Sequence, residues 1–472
     1  MSDLQSEPGS FRDRQGRIFY RNGEVIRALS SRALEEWQVL CSTRFFSRSM
    51  EAGKIVRTRA LEPEELEGAL PEGETWSGFL RHETIPFISY PYEWSFQMLK
   101  DAALLQLELI AAALAEGMIL KDASSFNLQW RGAKPVFIDI PSFERLSPGE
   151  PWVGYRQFCQ LFLYPLFLQS YENIPFQPWL RGSIDGISPQ HCWQLMSARD
   201  LLRAGVLTHV YLQSRLQNHY GGSDTDAKGV LKTAGFSRDL IAANVQRLAK
   251  TVAGLSWTQT RSEWSDYASN NSYSRQDHET KTDFVRSAAQ SRHWTLAWDL
   301  GCNTGSFSRI CAENSDYVVA MDQDPAAIEL FYRALSHEGC SNILPLVLNL
   351  ADPSPDLGWR CLERKAITGR GRPQLTLCLA LIHHMVIGAN VPVGEFLQWL
   401  ADLQSALVIE FVTKDDPMLK VLLRNKENQY QDYELDHFER CLGSLFEVER
   451  REIVPSGTRV LYFAAPKASA RP

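Results

Sequence analysis

The residues of this chain whose types and spacing point most directly to chemistry are Asp299-Leu300-Gly301-Cys302-Asn303-Thr304-Gly305 and, about 20 residues further on, Asp322. Gly301 and Gly305 let the backbone turn tightly and let a ligand come close where a Cβ would collide with it. Asp322 follows the apolar run Tyr317-Val318-Val319-Ala320-Met321. A carboxylate at the tip of a second parallel strand accepts hydrogen bonds from a ribose diol. The chemistry indicated is therefore nucleoside binding. Neither the three-glycine dinucleotide fingerprint nor the Gly-Lys-Ser/Thr of a phosphate loop is present. Asp299, just before the first glycine, would repel a pyrophosphate and suits a cationic ammonium.

That combination resembles motif I of the class I S-adenosylmethionine (SAM) methyltransferases, with Asp322 as the acid of motif II. Asn303 stands where the family often has a central glycine, and asparagine tolerates left-handed backbone. The resemblance implies SAM as cofactor, bound by Asp299, Gly301, Asn303, Gly305 and Asp322. It adds Asn349 for the adenine amino group, with Asp352 in reserve.

The elements that must position these residues are legible as alternating text. Apolar runs at 294–300, 317–321, 343–348, 375–380 and 406–411 read as strands. Helical text separates them at 325–337 and 395–403 and follows at 436–442. A closing hairpin pairs 446–451 with 459–464. The pattern predicts an α/β Rossmann-like domain, and the resemblance implies seven strands with the last antiparallel. Ligands of open α/β sheets sit at the carboxyl ends of the strands. That rule brings Asp299, Gly301, Asp322, Asn349, His383, His384 and Glu410 to one edge. His383 and His384, directly after the fourth strand, are candidate general bases; satisfying backbone groups at a strand end is the other reading of either ring.

The N-terminal half carries a second constellation. Lys121-Asp122-Ala123-Ser124-Ser125-Phe126-Asn127 is followed by an apolar strand ending in Asp139. In protein kinases an Asp-x-x-x-x-Asn loop positions the acceptor hydroxyl, and the Asn with a later Asp holds magnesium. Asp122, Asn127 and Asp139 match that order after β-rich text and a long helix. A Gly-rich loop is missing, Lys54 is the only candidate for the strand lysine, and Ile140-Pro141 replaces Phe-Gly. Asp122 and Asn127 capping turns is the alternative. We expect an α+β kinase-like domain whose cleft binds without phosphotransfer. Short strands follow Phe11, a helix covers 33–41, Lys54-Ile55-Val56-Arg57-Thr58 reads as a strand, and a helix covers 95–116.

At 472 residues with net charge −7, the chain folds as several domains and has no strong nucleic-acid footprint. The nine cysteines lack any C-x-x-C pair, and no charged-then-apolar leader follows Met1. A cytoplasmic protein with reduced thiols, no membrane span and no metal is expected. Adjacent His191 and Cys192 lack metal-ligand spacing. The domains are expected as a disordered tail over 1–10, the kinase-like domain over 11–255 and the methyltransferase domain over 256–472. Polar residues 256–291 read as a lead-in helix, from which Tyr267 and Lys281 could reach the site.

Further segments narrow the family. Ser89-Tyr90-Pro91-Tyr92-Glu93-Trp94-Ser95-Phe96, Leu120–Asn127 and Phe137-Ile138-Asp139-Ile140-Pro141-Ser142-Phe143 resemble the nodulation-protein NoeA-like methyltransferases. Ala380-Leu381-Ile382-His383-His384 and Ile409–Asp416 continue the likeness. It implies methyl transfer to an O or N atom of an unidentified acceptor, with the N-terminal domain recognising or presenting that substrate. A non-catalytic SAM sensor and a bifunctional kinase-methyltransferase are the alternatives.

Overall fold

In the computed structural model the described residues are 4–66, 75–215, 237–258, 274–424, 426 and 430–467. They divide into two units: residues 1–130, 135–258 and 357–364 in the first, and 131–134, 259–356 and 365–472 in the second.

The first unit opens with β1 (Gln5–Ser6), β2 (Gly16–Arg21) and β3 (Glu24–Leu29). Asn22 and Gly23, with φ of 52° and 80°, close the β2–β3 hairpin. Two left-handed residues in succession are what a tight hairpin turn of matching twist requires. Helices α1 (Ser31–Ser42) and α2 (Arg44–Glu51) follow, then β4 (Thr58–Ala60) and β5 (Gly78–His82). The sheet is antiparallel, ordered β1-β2-β3-β5-β4.

Two expectations are corrected here. Residues 4–10 are not a disordered tail, because Leu4 packs with Phe19, Ile26 and Ala28 and Ser6 pairs with Phe19. Lys54–Thr58 is not a strand as a whole, since β4 begins only at Thr58. The amides of Lys54 and Ile55 both donate to Ser49 O after α2, which leaves Ile55 one isolated bridge to Phe137.

Helix α3 (Phe96–Ala115) starts at Ser95, whose side chain accepts from the Met98 amide, and is buried on most of its surface. Next come β6 (Met118–Leu120), β7 (Leu128–Arg131), β8 (Lys134–Phe137) and β9 (Phe143–Arg145). β6 pairs antiparallel with β9, and β7 with β8. The loop holding Asp122 and Asn127 thus lies between β6 and β7, and Asp139 between β8 and β9.

The second unit begins, among described residues, with the helix Arg275–Ala289, set by a Ser274/Asp277 capping box. Tyr267 lies outside the described residues. The sheet comprises β10 (Trp294–Leu300), β11 (Ser315–Asp322), β12 (Ile343–Val347), β13 (Leu375–Cys378), β14 (Ala406–Val412), β15 (Phe446–Ile453) and β16 (Arg459–Pro466). Its order is β12-β11-β10-β13-β14-β16-β15. β10 to β14 are parallel, and β16 runs antiparallel to both neighbours. The seven-stranded sheet with a reversed last strand is therefore present. Its central strands are apolar almost throughout, as helix-covered parallel strands must be. Val318 to Met321, Leu375, Leu377, Val408 and Ile409 are fully buried. The strand order reverses between β10 and β13.

Candidate functional site

At the carboxyl end of β10 the chain passes through Gly301, Asn303 and Gly305 with φ of 75°, 50° and 82°. The amides of Gly301 and Cys302 both donate to Met321 O, at 2.8 and 3.0 Å, binding the turn to the end of β11. Asp322 completes the joint. Its Oδ2 accepts from the Asn303 amide at 2.8 Å and its Oδ1 from the Asp324 amide at 2.9 Å. Burial pushes its carboxyl pKa up, against those amide donors. The side chain remains partly exposed.

The tight turn expected of the two glycines is present, and packing adds a further demand. A Cβ on Gly305 would lie 1.9 Å from Phe331 Cζ, and one on Gly301 would lie 3.2 Å from Leu381 Cδ1. Packing inside the protein, together with positive φ, demands glycine at 305 before any ligand is considered.

Asp299 is also engaged internally. It is 2% exposed, and its Oδ2 accepts from Ser308 Oγ at 2.6 Å. Burial raises its pKa to about 6. Asn349, just beyond β12, is exposed, and its Oδ1 accepts from the Ala351 amide at 3.0 Å. Asp352 is exposed in the same turn.

On the other side of the reversal, Ala380 has φ of 50° and leads from β13 to His383 and a single π-helical turn, His384–Gly388. The His383 and His384 ring centroids are 4.1 Å apart. Burial, then mutual repulsion, holds the His383 pKa well below the usual range, and burial lowers His384 to about 4. Both rings are neutral at pH 7. His383 is 3% exposed, and its Nδ1 finds no hydrogen-bond partner among the described residues.

A buried ionic network lies beneath these turns. Lys281 Nζ is 2.7 Å from Glu410 Oε2, Arg459 Nη1 is 3.3 Å from Glu410 Oε1, and Arg459 Nε is 2.9 Å from Asp416 Oδ2. Burial lowers the Lys281 pKa, opposed by Glu410. Its ammonium also lies 4.9 Å from the Phe307 ring centre. Lys281 and Glu410 were singled out by the sequence; Arg459 and Asp416 were not. The available signal was Arg459 itself, a lone charge opening an apolar strand.

In the first unit Asp122, Asn127 and Asp139 do come together. Asp122 is hydrogen-bonded by the Asn127 and Gln157 side chains and by the Ser124 amide. Its pKa is raised by burial and then by Asp139. Ser142 Oγ donates to Asp139, and Asn127 Nδ2 donates to Ser142 Oγ at 3.5 Å. The cation facing Asp139 is Arg27 of β3, with Nη1 2.9 Å from Oδ1. Lys54, the expected strand lysine, instead pairs with Glu108 at the surface. The run Val25-Ile26-Arg27-Ala28 held the missed signal, a basic residue inside a buried strand. Among the described residues no group of three or more His, Cys, Asp or Glu side chains is placed to hold a metal ion, and no helix is long and apolar enough to cross a membrane.

No family model matches the chain. Among solved structures it is similar to the N-methyltransferase NodS of Bradyrhizobium japonicum WM9 with S-adenosyl-L-homocysteine, at 11% identity and a TM-score of 0.31 over 44% of this chain and 100% of that one. It is similar also to magnesium protoporphyrin IX methyltransferase of Synechocystis PCC 6803, at 18% identity and a TM-score of 0.30 over 40% of this chain and 84% of that one. These are weak, partial likenesses, and the sheet order described above rests on the strands themselves. The sequence likeness is of another kind. Over 460 residues the chain is 32% identical to "Nodulation protein NoeA" of Rhizobium meliloti (strain 1021), covering 96% of this chain and 94% of that protein. On that extent and identity, the chain belongs to the NoeA family.

Proposed function

We propose that the second unit is a SAM-dependent methyltransferase and that the first engages its acceptor. The observation that carries this reading is the left-handed turn Gly301–Gly305 locked to Asp322, beside the strand reversal of a seven-stranded sheet. The donor set fits such a cofactor. Both Asp322 oxygens are oriented by backbone amides, those of Asn303, Asp324 and Gln323, and a carboxylate has acceptor capacity beyond these for a ribose diol. Asn349 lies two residues beyond β12, the strand next to β11, at the carboxyl edge where an adenine would sit. Bound SAM supplies an electrophilic methyl group on its sulfonium.

The chain's own contribution is to place an O or N nucleophile in line with that methyl group. His383 and His384, neutral at pH 7, can accept a proton. Their depressed basicity makes positioning the larger part of the catalysis. In the first unit the Arg27–Asp139 ion pair supports a binding role without metal-dependent phosphotransfer, since a guanidinium already neutralises the carboxylate. Nine unpaired cysteines support a reducing, cytoplasmic setting.

Titration calorimetry with S-adenosylhomocysteine tests the cofactor site. Wild type should bind, and Asp322→Ala should weaken binding by about 1–3 kcal/mol, the cost of leaving buried donors without their acceptor. Transfer of labelled methyl from SAM into a cell extract then separates an enzyme from a sensor. Folded wild type that ignores S-adenosylhomocysteine would end the proposal.

A further inference from the structure

Glu410 makes more of the network than an ion pair. It sits in β14 with no exposed surface. Its Oε2 accepts from Lys281 Nζ at 2.7 Å and also from the backbone amide of Ala380 at 2.8 Å. Its Oε1 faces Arg459 of β16 at 3.3 Å. One carboxylate therefore joins the lead-in helix, the strand-end turn after β13 and the reversed strand.

Ala380 is the revealing partner. Its φ of 50° is a conformation that a residue with a Cβ adopts only when its surroundings impose it. The next residue, Leu381, packs at the place a Cβ on Gly301 would meet. Three and four residues after Ala380, the rings of His383 and His384 lie 4.1 Å apart, tilted by 41°. The bond to Glu410 thus holds a left-handed backbone joint between β13 and the histidines, beside the cofactor-side turn. Lys281 also lies beside the other turn, its ammonium 4.9 Å from the ring centre of Phe307, two residues after Gly305, but that turn is held by Met321 O and Asp322.

We propose that Glu410 is a positioning residue for methyl transfer: it fixes the left-handed turn at Ala380 and thereby the placement of His383 and His384. The inference rests on the methyltransferase reading for its consequence in turnover, but not for its structural content. Glu410 touches no reacting atom in this account. It acts through Ala380, which shares Oε2 with Lys281, while β14 and the Arg459 pair on the other oxygen keep the carboxylate in place.

The test compares Glu410→Gln, Glu410→Leu and Lys281→Met in the full chain. Its readouts are the ring signals of isotopically labelled histidine, S-adenosylhomocysteine affinity, and methyl transfer from SAM into extract. Glutamine retains an oxygen for the Ala380 amide, so its His383 and His384 signals should stay near wild type. Leucine cannot accept, so both signals should move and transfer should fall on the order of 10²-fold, as for an ångström-scale misplacement. S-adenosylhomocysteine affinity should change less than tenfold in all three. Lys281→Met breaks the same ion pair without touching Ala380 and should leave the histidine signals in place. If Glu410→Leu does not fold, Glu410→Gln decides: histidine signals displaced although an oxygen remains for the Ala380 amide overturn the proposal, and signals kept near wild type while Lys281 and Arg459 lose their counter-charge support it. The proposal is overturned if Gln and Leu displace the signals equally, if Leu displaces neither, or if Lys281→Met displaces them as far as Leu does. Wild type that fails to bind S-adenosylhomocysteine, with the histidine pattern as stated, would defeat the methyltransferase reading and leave the positioning role standing.

Discussion

Gly305→Ala separates packing from ligand approach as the demand on a glycine in a left-handed turn. The new Cβ would lie 1.9 Å from Phe331 Cζ, with Cε1 and Cε2 at 2.2 and 2.3 Å, on a backbone with φ of 82°. Left-handed backbone costs an alanine roughly 1–2 kcal/mol. Forcing a methyl group into a packed ring adds about 1–3 kcal/mol, because Phe331 is itself 1% exposed and has little room to retreat. The sum is a local destabilisation of about 2–5 kcal/mol. A single unfolding midpoint is ill-defined for a chain of two units, so the assay should be local. Hydrogen exchange in peptides spanning 294–312 should quicken by roughly 30- to 5,000-fold until global opening limits it. Adding Phe331→Leu should recover the clash but not the backbone cost, giving a favourable coupling of about 1–3 kcal/mol. Exchange unchanged in Gly305→Ala, together with lost S-adenosylhomocysteine binding, would refute the packing argument and restore ligand approach as the reason for the glycine.

His384→Ala should lower methyl transfer by up to ~10²–10⁴-fold if the ring accepts the acceptor's proton, with S-adenosylhomocysteine affinity preserved; an unchanged rate in both His383→Ala and His384→Ala removes the pair from the mechanism. Acid should destabilise the protein: His384 and His209 are lowered to about 4 and His82 to about 3, chiefly by burial. Groups with folded pKa below the unfolded value of about 6.5 contribute fully above it and lose that contribution as pH falls, each by about 2 kcal/mol at pH 5. Asp299, raised to about 6, works in the opposite sense, since its ionised form is the disfavoured one above that pH. Burial lowers His383 as well and raises Asp122, Glu172 and Asp322 beside Asp299; with the histidines as the larger effect, calorimetry should show unfolding at lower temperatures at pH 5 than at pH 7.5. Asp139→Asn should destabilise the first unit by about 1–3 kcal/mol, because the guanidinium of Arg27 is only 13% exposed and loses its partner. It should leave ATP turnover at background, whereas magnesium-dependent turnover in wild type that Asp139→Asn abolishes would establish a phosphotransferase.

Much of the second unit was readable because its signals are local. Five apolar runs separated by helical text can satisfy their backbone only as a helix-covered parallel sheet. The turn after β10 was equally plain, since two glycines and an asparagine within five residues announce left-handed backbone, and all three have it. Asp322 belongs with these, an acid placed at a strand tip by period alone. In the first unit the order Asp122, Asn127, Asp139 was enough to anticipate that the three would meet.

Partners were another matter. Nothing in the spacing of Asp299 says that it accepts from Ser308, or in that of Gly305 that Phe331 fills the space beside it. Lys54 and Arg27 are both bases near short strands. The amides of Lys54 and Ile55 were captured by Ser49, which left the lysine at the surface and gave Asp139 to Arg27. Leu4 read as tail because its neighbours are polar, yet it completes a cluster with Phe19, Ile26 and Ala28. Glu410, Lys281, Ala380 and Arg459 are separated by 30 to 129 residues along the chain where their bonds are direct. Periodicity and turn chemistry act over a few residues and so are written locally. Which buried charge finds which counter-charge, and which ring fills which space, is settled only when distant segments compete for the same volume, and that competition takes place in the folded molecule.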